Sequence, residues 1–212
     1  MLCYFLFRFL TLVQDADIVW FRNPFNHFAA DADFQISSDK FKGNPLSTVE
    51  NRPNCGYVFT RSNNHTIALY THWCNAGKRY PSVDEQTQLG GMLRRGEPKK
   101  LGVRVRFLPT ELFSGFCEAS TDMRRVVTMH ANCCTGLDNK LADLRFSMED
   151  WEKGKNSPPK FRKVGTQSIK RSPWRAPSAC KHSIWPNRGK KPKTNHTSSP
   201  PPAHKKVPSK RA

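Results

Sequence analysis

Gln14-Asp15-Ala16-Asp17-Ile18-Val19-Trp20-Phe21-Arg22-Asn23-Pro24 sets two carboxylates, spaced i, i+2, between an apolar run at 2–13 and a second apolar tetrad that stops at Asn-Pro. The leading run has the composition of a buried strand. It places residues 9–13 in a parallel sheet, with Asp15 and Asp17 emerging at the carboxyl end of the strand. Open α/β sheets hold their ligands at that edge. Once the chain turns out of strand geometry, the two side chains can converge on one cation. Hard oxygen ligands suit Mg²⁺ or Mn²⁺, which in turn accept phosphate oxygens, so the matching cargo is a diphosphate.

An Asp-x-Asp alone is common, and its usual roles are a solvated turn or a helix cap. Asp31-Ala32-Asp33 repeats the pattern, but between Ala29-Ala30 and Phe34-Gln35-Ile36 it reads as a loop entering another short strand. The apolar frame on both sides is what separates Asp15 and Asp17 from that second pair.

Charge divides the chain. Residues 151–212 hold 17 of the 35 Lys and Arg beside one acid, Glu152, so they carry +16 of the net +18. Ten of the 16 prolines lie there too, and few apolar residues are present to offset the entropy of ordering. The expected division is a folded unit at 1–151 and a basic Pro-rich tail at 152–212, disordered from about residue 155. Such a tail invites nucleic acid, but only Phe161, Trp174 and Trp185 are available for stacking and no recognition-helix or zinc-knuckle spacing occurs. Nucleic acid is therefore disfavoured as a partner. No membrane span is expected: the N-terminal apolar run is about a dozen residues, broken by Arg8, where a bilayer needs roughly twenty.

Downstream, strands are expected at 34–39, 55–60, 103–108 and 126–130. Helices are expected at 64–77 with an Asn cap, at 87–93, and at 137–151 with Leu141, Leu144, Met148 and Trp151 on one stripe. Interleaved strands and helices give an α/β class.

Asp15-Ala16-Asp17-Ile18-Val19-Trp20-Phe21-Arg22-Asn23-Pro24, Asn54-Cys55-Gly56-Tyr57, Asp84-Glu85-Gln86 and His130-Ala131-Asn132-Cys133-Cys134, in that order, resemble the plant nucleotide-diphospho-sugar transferases of glycosyltransferase family 77. The resemblance covers about residues 12–151. It implies a GT-A fold, Rossmann-like, a nucleotide-sugar donor and Mn²⁺ (or Mg²⁺) as cofactor. It also implies retention of anomeric configuration, a cell-wall glycan or glycoprotein acceptor, and Golgi residence. By position, Asp15, Asp17 and His130 match the metal ligands, and Asp15 and Asp17 also the residues facing the donor diphosphate. Asn54 and Gly56 match positions beside the donor sugar, glycine because backbone approaches closely. Asp84 and Glu85 match an acidic motif near the transferred sugar and the acceptor, although either could simply begin a helix. A βαβ unit for the nucleoside takes roughly thirty residues or more, and fourteen precede Asp15. The expectation is a partial GT-A fold without its nucleoside-binding half, stem or membrane anchor.

Seven cysteines allow one or two disulfides in an oxidising compartment, with pairing not readable from sequence. A zinc site from His130, Cys133 and Cys134 lacks a fourth ligand and standard spacing. Two other functions compete with the transferase: an inactive relative that binds a glycan or partner enzyme, and a nucleic-acid binder acting through the tail.

Overall fold

A computed structural model describes residues 10–164 and 166–180. The apolar residues 2–9 and the tail beyond 180 lie outside the described residues. The elements run β1 (Leu10–Gln14), β2 (Ile18–Trp20), a 3-10 turn (Pro24–His27), β3 (Phe34–Lys40), β4 (Arg52–Arg61), α1 (Asn64–Arg79), α2 (Glu85–Arg94), α3 (Glu97–Lys100), β5 (Val105–Phe107), β6 (Phe113–Gly115), β7 (Thr128–His130), α4 (Leu137–Gly154), β8 (Phe161–Val164) and β9 (Gln167–Lys170). The described chain is α/β, as the interleaved pattern implied.

Two small mixed sheets form the body, one ordered β1-β4-β3-β5 and the other β2-β7-β6. Within the first, β1 and β3 run antiparallel to β4 and β3 runs parallel to β5. This corrects the reading of β1 as a buried strand of a parallel sheet. It is the outermost described strand, half-buried, with an antiparallel neighbour. An unbroken apolar run reports burial; strand direction is set by the partner, which lies some forty-five residues downstream.

Alternation along the strands sorts side chains to two faces. Phe34 and Ile36 of β3 and Val58 of β4 face α1 and α2, where Leu69, Tyr70, Leu89, Met92 and Leu93 close over them. On the opposite face Tyr57 joins Phe113, Leu108 and Val127. Phe28 stacks on Phe59 there, with ring centroids 4.0 Å apart. A third cluster, Met129, Ala131 and Leu144, packs α4 onto the second sheet. The layers are therefore helices, sheet, sheet, helix.

Helix ends follow their caps. Asn63 and Thr66 form a reciprocal capping box at the start of α1. Asp84 accepts from Thr87 N at 2.8 Å, which starts α2 two residues earlier than periodicity indicated. The stripe assigned to α4 is also corrected. Asp143, Leu144 and Ser147 are buried, whereas Leu141 and Met148 are 45% and 49% exposed. A buried aspartate is tolerated here because it receives the backbone N–H groups of Ser178 at 3.0 Å and Cys180 at 2.7 Å.

Further contacts join the described residues beyond 155 to the body. β8 and β9 pair as a hairpin. Trp174 donates its indole N–H to Ser120 O at 2.7 Å and stacks on Phe21, and a disulfide ties Cys180 to Cys134. A charge average over the whole tail hides two local anchors, one aromatic and one covalent.

The second Asp-x-Asp is structural. Asp33 is buried and accepts three hydrogen bonds from Arg104, two of them from the guanidinium at 2.9 Å, while Asp31 stays exposed. The hydrogen bond from the Arg104 side chain holds the Asp33 carboxyl below the usual carboxylate range. A depressed folded-state pKa stabilises above the ordinary value near about 4 and is lost as pH falls through it. Asp33→Asn is expected to cost about 2 kcal/mol at neutral pH. Urea unfolding checks this, and the gap to wild type should close as the pH is lowered below about 4.

Candidate metal and donor site

The site is assembled by strand register. β2 pairs with β7 so that Ile18 lies opposite His130, and Ala131 N donates to Asp17 O at 3.0 Å. Asp15 is fixed from the other sheet, where its N–H donates to Gly56 O at 2.8 Å. The Asp-x-Asp thus spans the gap between two sheets, with one backbone anchor in each.

The side chains converge. His130 Nε2 lies 3.3 Å from Asp17 Oδ1 and 3.6 Å from Asp15 Oδ2, and one ligand atom from each residue falls within 4.8 Å of the others. His130 and Asp17 are largely buried while Asp15 is 59% exposed, so the group opens to solvent on the Asp15 side. Two carboxylates and an imidazole form a donor set that suits Mn²⁺ and tolerates Mg²⁺ less well because of the nitrogen.

Gly56 sits against this group. A Cβ there would collide with the His130 ring, stand 2.6 Å from Asp15 Oδ2, and meet Asn54 Oδ1 at 2.8 Å. The glycine therefore lets the β4 backbone lie directly against the His130 ring and Asp15. Asn54 holds the strand in place from beside it: its Oδ1 accepts from Gly56 N at 2.9 Å and its Nδ2 donates to Asp39 Oδ1 at 2.9 Å.

Two residues here were not singled out from sequence. Lys140, in the first turn of α4, places Nζ 2.6 Å from Asp17 Oδ2. Asp17 is held well below the usual carboxylate range, first by its hydrogen bond with His130 and then by Lys140, against the opposing effect of burial. Asp39, at the polar end of β3, accepts from both Asn54 and Asn132 Nδ2, the latter at 3.0 Å, and so joins β3, β4 and the segment after β7. The signal for Asp39 was the switch from Phe34-Gln35-Ile36 to Ser37-Ser38-Asp39 within one strand. Lys140 lies ten residues past His130, and only the turn into α4 brings it back.

Asp84 and Glu85 stand apart from the triad. Both oxygens of Asp84 are taken by Thr87, from its N–H and its hydroxyl, each at 2.8 Å. Glu85 is exposed. Their neighbour makes the link: Gln86 Oε1 accepts from Cys55 N at 3.0 Å, tying the start of α2 to the Asn54-Cys55-Gly56 segment. Cys55 is a free thiol, pushed up first by burial and then by Glu85, Asp15, Asp84 and Asp39.

Cys133 and Cys134 are committed to separate disulfides, with Cys117 and Cys180 respectively. They are therefore not zinc ligands beside His130. The first disulfide fixes the chain just beyond His130 and Asn132, and Cys133 adopts the left-handed region at φ 58°. Disulfides of this kind fit a secretory-pathway protein. No helix among the described residues is long and apolar enough to cross a membrane.

Residues 8–144 match the nucleotide-diphospho-sugar transferase family, and the chain belongs to it. Two Arabidopsis thaliana proteins, described as uncharacterized proteins At4g15970 and At1g28695, are each 38% identical to it, over 78% and 69% of this chain. The chain spans 43% of the length of each of these relatives. No solved structure matches significantly.

Gly56→Ala is expected to weaken Mn²⁺ binding by about 10–100-fold, the range seen when residues supporting a metal site are altered. Isothermal titration checks the affinity, and an unchanged far-UV circular dichroism spectrum separates the effect from unfolding.

Proposed function

We propose that the chain is the catalytic portion of a metal-dependent glycosyltransferase that moves a sugar from a nucleotide-diphospho-sugar to a cell-wall glycan or glycoprotein, with retention, in the Golgi. The observation that carries this reading is the convergence of Asp15, Asp17 and His130, with Gly56 packed against two of them. A Mn²⁺ or Mg²⁺ held there would neutralise the charge that builds on the departing nucleoside diphosphate.

The remaining work falls to side chains. Lys140, whose ammonium is paired with Asp17, would contact phosphate oxygens of the donor, as a point charge that can turn from Asp17. Asn54, Gln86 and Asp39 form a fixed hydrogen-bonded wall beside the donor sugar. Asp84, fully engaged in capping α2, positions the segment, and Glu85 is the freer carboxylate to orient the acceptor hydroxyl. In the transfer, the acceptor oxygen bonds to the anomeric carbon as the bond to the diphosphate oxygen breaks.

The reading is tested by thermal melting of the chain with Mn²⁺ and a panel of nucleotide-sugars. Wild type should gain several degrees with the cognate pair, because a ligand at about a hundred times its Kd stabilises by about 2.7 kcal/mol. Asp17→Asn and His130→Ala should gain nothing. A glycan-binding relative without transferase activity would instead respond to oligosaccharide and ignore the Mn²⁺ and nucleotide-sugar pair.

A further inference from the structure

Asn64-His65-Thr66 is an Asn-x-Thr triplet whose middle residue is not proline, the acceptor pattern for N-linked glycosylation. The triplet opens α1, and the fold sends its three side chains in three directions. Thr66 is fully buried. His65 Nδ1 donates to Leu101 O at 2.9 Å, which ties the start of α1 to the turn ahead of β5. Asn64 is exposed.

That exposure follows from helix phase. Thr66, Leu69 and Tyr70 are the buried residues of α1 and mark the face it turns to the sheet. Asn64 precedes Thr66 by two positions, about 200° around a helix of 3.6 residues per turn, so it stands on the opposite side. The cap itself belongs to the residue before: Asn63 Oδ1 accepts from Thr66 N at 2.9 Å, and its Nδ2 donates to Asp33 Oδ1 at 3.1 Å. A group attached to Asn64 therefore leaves the cap intact. It is also attached away from the metal group, since β4 runs on from Gly56 to Arg61, about 16 Å at roughly 3.3 Å per residue, before the turn into α1.

Thr66 fixes when such a group can be added. The pattern requires the hydroxyl at the third position as well as the carboxamide at the first. In the fold that hydroxyl accepts from Asn63 N and donates to Arg61 O, each at 2.9 Å, out of reach of solvent. It is accessible in a chain whose α1 has not yet formed. Asn64 also precedes Cys117, Cys133, Cys134 and Cys180, so during synthesis it reaches an oxidising compartment before either of their disulfides can close.

We propose that Asn64 carries an N-linked glycan, attached before α1 folds. The co-reactant is an oligosaccharide linked to a polyprenyl diphosphate. The carboxamide nitrogen bonds to the anomeric carbon as the anomeric C–O bond to the diphosphate breaks; the diphosphate leaves with the electron pair, and the nitrogen gives up one proton. This needs the compartment in which the two disulfides form, whether or not the chain transfers sugar itself.

The full chain, produced in yeast behind a cleavable secretory signal, is mapped by peptide mass spectrometry. Position must be resolved, because Asn195-His196-Thr197 has the same pattern and lies outside the described residues. The peptide containing Asn64 should carry a glycan that peptide N-glycosidase removes, leaving a carboxylate in place of the carboxamide. Asn64→Gln and Thr66→Val should each lose it, while Thr66→Ser, which keeps a hydroxyl, should retain it. Because attachment precedes folding, misfolding of a Thr66 variant does not alter this readout. In a second arm, unglycosylated chain with its disulfides formed is given purified oligosaccharyltransferase and the lipid-linked donor. It should be modified about tenfold or more slowly than the same chain reduced and unfolded, since the buried hydroxyl must first be released. An unmodified Asn64 in the secreted, disulfide-bonded chain overturns the site, and equal modification of the folded and unfolded chains overturns the order of events.

Discussion

The antiparallel pairing of Ile18–Trp20 with Thr128–His130 is the constraint on which the site depends. It joins positions more than a hundred residues apart and does so by backbone hydrogen bonds, which fix register to a single residue. A slip by one position would turn His130 to the other face of its strand and leave Asp15 and Asp17 without the imidazole. The second sheet has just three short strands, so other contacts must hold that register. The Cys117–Cys133 disulfide, the Asp39 network and the packing of α4 on Met129 and Ala131 supply them.

Electrostatics explains why so many carboxylates can sit together. Asp15, Asp39, Asp84 and Glu85 all act on the Cys55 thiol, and Asp15 is grouped in turn with Asp17. Each of the more buried ones has a stated partner: Asp17 has His130 and Lys140, and Asp39 has two amides. The most exposed ligand, Asp15, has the weakest protein contact. A cleft of this sign attracts cations, and through them anionic diphosphates that it would otherwise repel.

The three residues of the candidate metal group could be picked out in sequence because they lie at strand ends, where apolar and polar residues meet. Asp15, Asp17 and His130 all carry that signature. Gly56 was expected from the resemblance as a point of close backbone approach, and in the structure a side chain there would run into the His130 ring, Asp15 and Asn54. What could not be read was anything set by a distant partner. The antiparallel direction of β1 depends on β4, and the burial of Asp143 depends on the backbone of residues 178–180. The contacts of Trp174 with Ser120 and of Cys180 with Cys134 are of the same kind. Lys140 fell into the same class, since helix phase alone does not show that its ammonium returns to Asp17.

The central claim is that His130 shares one cation with Asp15 and Asp17, and the most direct measurement is pulsed electron paramagnetic resonance of the Mn²⁺-loaded chain. Coupling from a directly bound imidazole nitrogen is predicted in the wild type and its loss in His130→Gln, with Mn²⁺ binding itself weakened in Asp17→Asn. Mn²⁺ bound with oxygen ligands alone, and unchanged when His130 is replaced, would contradict the account.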